Sequence, residues 1–498
     1  MKTFKHKVTI GICTALLGLS AISCKEELLD PVPKTFLSDI VAFDTPARIS
    51  LQVNSLYSYV KSGSFLGGRY QVYGDIRAND FLNRTSNLVT GAAVWQHTLT
   101  EASQNDVISM WGAAYAAINQ VNVFLAGLDA NASKFVAPTF PATFAATANN
   151  YRGEARLLRA LCYYSLLQYY ARPYADGNGS KPGLPLRLQA ETGPNNNDLP
   201  RSTVAQVYDQ ILEDLNYAEQ NLPLTYATAS PSPTVTRAHR NTAIALKTRV
   251  YLSMGRYNDV ITEADKIVTK TAPFTATTGV AHALNSSIAN VFASPQETSE
   301  SILSFPFTAQ DPPGTQNQLA YYFLPASLGG NGEYSLNPTG ILANTGFAAT
   351  DARRTALTAT SGTETFLKKY PTGSPYTDKA PVIRYAEVLL NLAEARARTA
   401  GATDAQALAL LNAVRTRSNP AGAYTAASFT SSFTIIDAIL LERRIEFLGE
   451  GIRNQDLMRL LAPIPGKGSV GAVQPTDVLY IWPIPSSELA TNRAMTRN

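Results

Sequence analysis

Residues 237–268 read RAHRNTAIALKTRVYLSMGRYNDVITEADKIV. Apolar side chains recur at helical spacing on both sides of Gly255, so the stretch predicts two helices joined at a glycine turn. Ala243, Ala245 and Ala264 are small enough to let two helices approach closely, and Tyr257 falls where the second helix packs on the first. The same plan returns at 382–418, VIRYAEVLLNLAEARARTAGATDAQALALLNAVRTRS, with Gly401 as the turn. A repeated helical hairpin predicts a mainly α scaffold in which neighbouring units bury one another's apolar faces.

Each hairpin resembles a tetratricopeptide unit of about 34 residues. Working outward, helical periodicity begins near Asp44 and returns at 105–128, at 148–171 and after the Ser202/Thr203 cap, giving about four such units. A further helix covers 439–460, ILLERRIEFLGEGIRNQDLMRL. Two stretches break the rhythm. Residues 61–105 are rich in Gly, Asn, Ser and Thr, a loop composition, and residues 270–380 are irregular apart from a strand signal at Ile302, Leu303, Phe305 and Phe307. Long insertions in compact domains usually carry function. The chain therefore divides into 1–23, 24–40, an N-terminal helical region with a binding loop at 41–270, an irregular insertion at 271–380 that is expected to bind substrate, and a C-terminal region at 381–498.

The N-terminus explains the charge. Lys2, Lys5 and Lys7 precede an apolar run from Val8 to Ser23, too short to span a bilayer comfortably, which reads as a signal peptide. LSAISC, 19–24, resembles a lipobox, with Ala21 where Leu is commonest, so Cys24 is the expected lipidation site (palmitate among its acyl chains) and 25–40 its tether. Removing the three lysines leaves one more base than the 38 acids, so no nucleic acid or other polyanionic partner is expected. Cys13 leaves with the signal and Cys162, inside a helical pattern, reads as a small buried apolar side chain. No intramolecular disulfide is available.

The chemistry of catalysis is hard to find. His97, His239 and His282 have no metal-ligand spacing, and neither a nucleophile elbow nor a phosphate-binding loop occurs. Glu442 and Glu446 are spaced like a carboxylate pair, but Arg443, Arg444 and Arg453 crowd them, which would hold them ionised and unfit as general acids. Arg156, Arg384, Glu387, Glu394, Arg443 and Glu446 lie on otherwise apolar helices and are expected to pair between packed helices. The reading is of a protein that is not an enzyme.

Seven stretches, in order, together resemble the SusD/RagB family of outer-membrane nutrient-binding lipoproteins: YRGEARLLRALCYYSLLQYYARPY (151–174), RSTVAQVYDQILEDL (201–215), ALKTRVYLSMGRYNDVITEADKIV (245–268), APVIRYAEVLLNLAEA (380–395), LNAVRTRSNP (411–420), LLERRIEFLGEGIRNQDLMRL (440–460) and WPIPSSELATN (482–492). The resemblance implies a SusD-like fold: a tetratricopeptide-like scaffold, long irregular insertions and a few short strands. It implies a lipid-anchored protein of the cell outer membrane, facing the exterior, that takes up oligosaccharide nutrients and delivers them to a SusC-like TonB-dependent transporter. Cys24-Lys25-Glu26-Glu27 fits the surface-export signal of such lipoproteins. Peptide capture, as in the RagB branch, and a tetratricopeptide scaffold that binds only protein are the alternatives. No cofactor is called for beyond the lipid on Cys24, and the sequence leaves a structural calcium ion open.

Sugars present apolar faces and hydroxyl edges, so aromatic rings and side-chain amides, carboxylates and guanidinium groups are the residues to look for. The first loop offers Asp75, Arg77, Trp95 and Asn105, beside Tyr73, Asn79, Asp80, Gln96 and His97. By resemblance to glycan-binding relatives, Trp95 is the first choice. The insertion offers Tyr321, Tyr322 and Tyr334, with Gln316, Asn317 and Asn331. Trp111 and Trp482 are expected in the core.

Overall fold

A computed structural model describes residues 41–193, 195, 197–401 and 403–498. The signal segment, the tether and Cys24 lie outside the described residues. The described residues divide into two units at Ile49/Ser50. A turn at 41–45 leads into helix α1 (Pro46–Val60), which spans that division and where proline suits the first helical position.

The second unit is mainly α. Beyond α1 its principal helices are α2 (Arg69–Ile76), α3 (Ala92–Gln96), α4 (Ser109–Ala130), α5 (Phe144–Tyr170), α6 (Val204–Asn221), α7 (Arg240–Ser253), α8 (Tyr257–Ala264), α9 (Tyr385–Ala400), α10 (Ala405–Ser418), α11 (Ile435–Glu446) and α12 (Ile452–Arg459). Packing follows the chain from α4 on α5 through α8 on α9 to α10, and α9 also receives α11. The two hairpin turns fall where the sequence placed them: Gly255 (φ +69°) joins α7 to α8, and Gly401 (φ +91°) joins α9 to α10. Both conformations are strained for any residue with a Cβ. Thr203 caps α6 as expected: its hydroxyl accepts from Gln206 N at 3.2 Å and the Gln206 side chain accepts from Thr203 N at 2.9 Å.

Helix α7 packs against α6, α8 and α9, so every residue from Asn241 to Ser253 is buried. Its charges consequently need partners. Lys247 reaches Glu219 at 2.5 Å and Glu263 at 2.8 Å, and Arg249 pairs with Glu387 at 2.6 Å. The other predicted interhelical charges pair likewise: Arg156 with Asp214, Arg443 with Asp456, Glu394 with Arg459 and Arg384 with Glu446.

The six named strands form three antiparallel pairs. Strand β2 (Ser301–Phe305), buried on both faces, pairs with β6 (Ala380–Arg384), which runs directly into α9. Strands β4 (Thr358–Ser361) and β5 (Glu364–Leu367) form a hairpin. Strand β1 (Phe81–Asn83) pairs with β3 (Tyr334–Leu336), register Phe81↔Leu336 and Asn83↔Tyr334. That last pair ties the first loop to the insertion across some 250 residues of sequence.

Two expectations change. The 61–105 stretch is not simply a loop: it contains α2, whose eight residues are all buried. Because α2 is buried all round it has no polar face, and the 3.6-residue stripe that betrays a surface helix is missing. It also lies so close to the start of α12 that a Cβ on Gly74 would meet Gly451 O at 2.4 Å. The 271–380 stretch, in turn, is bolted to the scaffold. Its Glu300, Arg353 and Lys369 are all buried and engage Arg384, Arg417, Glu442, Glu446 and Glu450, while buried Asp351 holds Arg353 at 2.7 Å.

Candidate functional site

The β1–β3 pair decides which proposed site residues meet. Trp95, on the short helix α3, is half-buried, and its indole N–H donates to Phe81 O at 3.0 Å. Lys467 Nζ lies 5.5 Å from the ring centroid. Phe81 stacks at a tilt on Phe323 with centroids 4.9 Å apart, and Phe323 closes the helical turn Leu319–Phe323 that carries Tyr321. Trp95 and Tyr321 are thus fixed through one pair of core rings.

Tyr321 is half-buried and sits edge-on to two other tyrosines, Tyr322 (6.0 Å) and Tyr376 (6.1 Å). Its hydroxyl accepts a long hydrogen bond from Gln316 Nε2 at 3.4 Å. Gln316 (φ +57°) and Tyr376 (φ +61°) both adopt the left-handed conformation that non-glycine residues rarely take. Strain of this kind collects at functional sites. Tyr376 was not among the sequence candidates. It is a lone aromatic in the Pro/Gly-rich stretch 371–376, and that placement was the available signal.

Asn105 opens another irregularity. Residues Gln104–Ile108 form a turn of π-helix, with Ile108 N bonded to Ser103 O at 3.1 Å, immediately before α4. Such turns are rare and often mark functional positions. Arg69 Nη1 donates to Asn105 O at 2.5 Å, while the half-buried Asn105 side chain has no hydrogen-bond partner among the described residues. Next to it, Asp106 accepts from the Tyr73 hydroxyl. Burial pushes the Asp106 carboxyl up to about 6, partly opposed by that hydrogen bond and by Arg69.

Four sequence candidates lie in the interior. Tyr322 and Tyr334 are fully enclosed and stack on each other, centroids 6.3 Å apart; their hydroxyls donate to Gln316 O and Thr90 O, both at 2.8 Å. They brace Tyr321 and the loop before α3 and present no free face. Asp75 accepts from Gly451 N at 2.7 Å, and burial holds its carboxyl well above the usual range. Arg77 donates to Asn454 Oδ1 at 2.7 Å and Tyr480 O at 2.9 Å. Both residues sit at or just after α2, in the interior, because that helix is enclosed. Trp111 and Trp482 lie in the core, as expected.

Glu442 and Glu446 are fully committed. Glu442 is bonded by Arg353 and by Arg415 (2.9 Å), Glu446 by Arg353 (3.1 Å), Arg384 (3.0 Å) and Arg417 (2.6 Å). The Arg417, Arg384 and Arg353 charges outweigh burial and hold the Glu446 carboxyl far below its ordinary value. Among the described residues no group of three or more His, Cys, Asp or Glu side chains could hold a metal, and no helix is long and apolar enough to cross a membrane.

Two family profiles match the chain: one described as starch-binding and associating with the outer membrane, over residues 38–252, and the SusD family profile over 344–498. A SusD superfamily protein from Bacteroides fragilis, known as a crystal structure, is 32% identical with a TM-score of 0.79, the match covering 91% of this chain and 99% of that one. SusD-like protein P38 of Formosa agariphila is 23% identical over all of this chain and 99% of its own length. The surface glycan-binding protein A of Bacteroides uniformis shares the fold at 22% identity, with a TM-score of 0.70 over 91% of this chain and 99% of its own. With its repeated helical hairpins, its insertions bolted through buried charge, and a one-third-identical relative spanning nearly its whole length, the chain belongs to the SusD family.

Proposed function

We propose that this protein is a non-catalytic binding protein for oligosaccharide nutrients, held at the outer surface of the outer membrane by lipid on Cys24, and that it delivers its ligand to a SusC-like TonB-dependent transporter. The observation that carries the reading is the Tyr321 ring, half-open to solvent and braced by buried Tyr322, with the Gln316 amide on its hydroxyl and Tyr376 against its edge. A flat apolar ring beside amide donors and acceptors matches a sugar, whose faces stack and whose edges hydrogen-bond. The free amide of Asn105 and the ring of Trp95 supply further groups of the same kind. The carbohydrate-binding relative supports the ligand class, and the outer-membrane description of the matching profile supports the location.

Calorimetry of the full-length protein in mild detergent against a panel of neutral oligosaccharides and a parallel panel of peptides tests the reading. Binding of a glycan that Trp95→Ala weakens by about 1–3 kcal/mol supports it. Binding confined to peptides would replace the ligand class. Co-purification from detergent extracts tests the transporter, and recovery of the protein alone under gentle conditions, from cells grown on the bound nutrient, would count against that partner.

A further inference from the structure

A cavity of about 190 Å³ opens beside α3, lined by Arg77, Val94, His97, Leu99, Glu101, Arg497 and Asn498 and, from the C-terminal stretch, by Val478, Leu479, Ile481, Trp482 and Pro483. It holds an electrostatic anomaly. Arg77 is 2% exposed, yet every acceptor of its guanidinium is neutral: Asn454 Oδ1 at 2.7 Å, Tyr480 O at 2.9 Å and Leu479 O at 3.4 Å. Behind it Lys467, also buried, donates to Arg77 O at 2.5 Å and lies 3.3 Å from His97 Nε2. No carboxylate pairs with Arg77, Lys467 or His97 among the described residues. Other buried arginines meet acids, as Arg249 meets Glu387 and Arg459 meets Glu394. Glu101 is the one acid of the cavity wall, and Arg497 already pairs with it at 2.7 Å. The wall also contains Trp482, 1% exposed, whose indole N–H has no acceptor among the described residues.

Buried charge without a counter-charge is costly, and so is a buried donor without an acceptor. An anion in the cavity relieves both. Beside these and the polar Asn498, the lining has an apolar part: Val94, Leu99, Val478, Leu479, Ile481 and Pro483. A bare inorganic ion gains nothing from such walls, whereas a carbon ring carrying one oxyanion uses both halves. The volume is below the roughly 300–1,000 Å³ of pockets for drug-sized ligands, which suits a single small ring.

We propose that this cavity is a subsite for an anionic sugar residue, a pyranose ring bearing one carboxylate or sulfate ester, with Arg77 and the Trp482 N–H facing the oxyanion and the 478–483 stretch covering the ring. The proposal rests on the glycan-binding reading and narrows it to acidic oligosaccharides. Burial and the neighbouring Arg77 charge lower the Lys467 amine to about 6, so an anion here also favours the protonated form of that lysine.

The test is calorimetry on the full-length protein in mild detergent with four probes: glucuronate, glucose 6-sulfate, glucose and inorganic sulfate. The expected result is at least about tenfold tighter binding of one or both anionic sugars than of glucose and of sulfate, the scale of one charged hydrogen bond. The two anionic arms decide between carboxylate and sulfate ester. Arg77→Gln should abolish the preference; because Arg77 also holds the 479–480 backbone, Val478→Glu is the second variant. Val478 is 86% exposed at the cavity wall, so a carboxylate there leaves the fold intact and should weaken the anionic sugar about tenfold more than it weakens glucose. Equal affinity for glucose and glucuronate, sulfate binding as tightly as the sugars, no binding of any probe, or indifference to Val478→Glu each overturns the proposal. Where a neutral oligosaccharide still binds in the same preparation, the subsite alone has failed; where no glycan binds at all, the underlying reading has failed with it.

Discussion

Arg384 Nη1 lies 3.0 Å from Glu446 Oε1, and neither side chain is more than 2% exposed. One residue stands at the joint between β6 and α9, the other at the end of α11, so a single ion pair locks the strand that follows the insertion to the C-terminal helices. Glu446 also meets Arg417 at 2.6 Å and Arg353 at 3.1 Å. Replacing it with glutamine keeps the shape and leaves three guanidinium groups short of charge. Glu446→Gln should therefore cost about 3–5 kcal/mol, read as a lower midpoint in urea unfolding followed by circular dichroism. A loss below about 1 kcal/mol would mean that the network redistributes its charge freely.

Tyr321 and Tyr376 meet edge to face and so should act on a ligand together. Tyr321→Ala and Tyr376→Ala should each weaken glycan binding by about 1–3 kcal/mol, and the double variant should lose less than the sum of the two. Melting temperatures should stay within a few degrees of the parent, because both rings are partly open to solvent. A strict sum of effects would show that the two rings do not share a sugar.

His239 and His282 stack with centroids 5.2 Å apart, both wholly enclosed, and His282 continues onto Tyr385. Burial and the neighbouring His282 lower His239 to about 3, and burial lowers His282 to about 4. Both stay neutral when folded but take up protons near 6.5 when unfolded. Stability tied to them is present above about pH 6.5 and falls as the pH drops, by about 1.4 kcal/mol per unit for each histidine, down to about 4 for His282 and 3 for His239. Asp106 and Asp378, pushed up to about 6, act in the opposite direction, so the difference between variants is the clean measure. Unfolding free energy measured from pH 7 to 4 should fall less steeply in His239→Phe than in the parent. Parallel slopes would remove the histidines from the acid response.

The proposed lipid on Cys24 can be tested apart from the fold. Cys24→Ala should abolish acyl labelling and move the protein from the membrane to the soluble fraction, with an unchanged melting profile. Membrane retention without label would show another means of attachment.

Much of the scaffold was legible because its rules are local. Gly255 and Gly401 announce turns, Thr203 with Gln206 announces a cap, and the charged residues on apolar helices announce partners before those partners are known. The site was less legible. Asp75 and Arg77 look available on paper, since a polar run reads as loop, but α2 satisfies its polar groups inside the protein, and no local pattern encodes that. Tyr322 and Tyr334 are turned inward by the Leu319–Phe323 turn and by the β1–β3 pairing, which nothing in the local sequence announces. The unpaired charge of Arg77 becomes visible only once Asn454 and Tyr480 arrive from the far end of the chain.

That arrival has a temporal side. The Asp75 carboxylate waits for Gly451 N, 376 residues later. Glu300 waits for Arg384 and Arg417, and Tyr169 O for Trp482 N. Closing a loop of such length costs about 5 kcal/mol of chain entropy before any contact repays it. A chain emerging N-terminus first can form its early hairpins, but it must carry α2 and the inner faces of α5 unsealed until its last fifty residues appear. Until then the chain keeps apolar surface and unpaired polar groups open, the kind of exposure on which larger proteins aggregate.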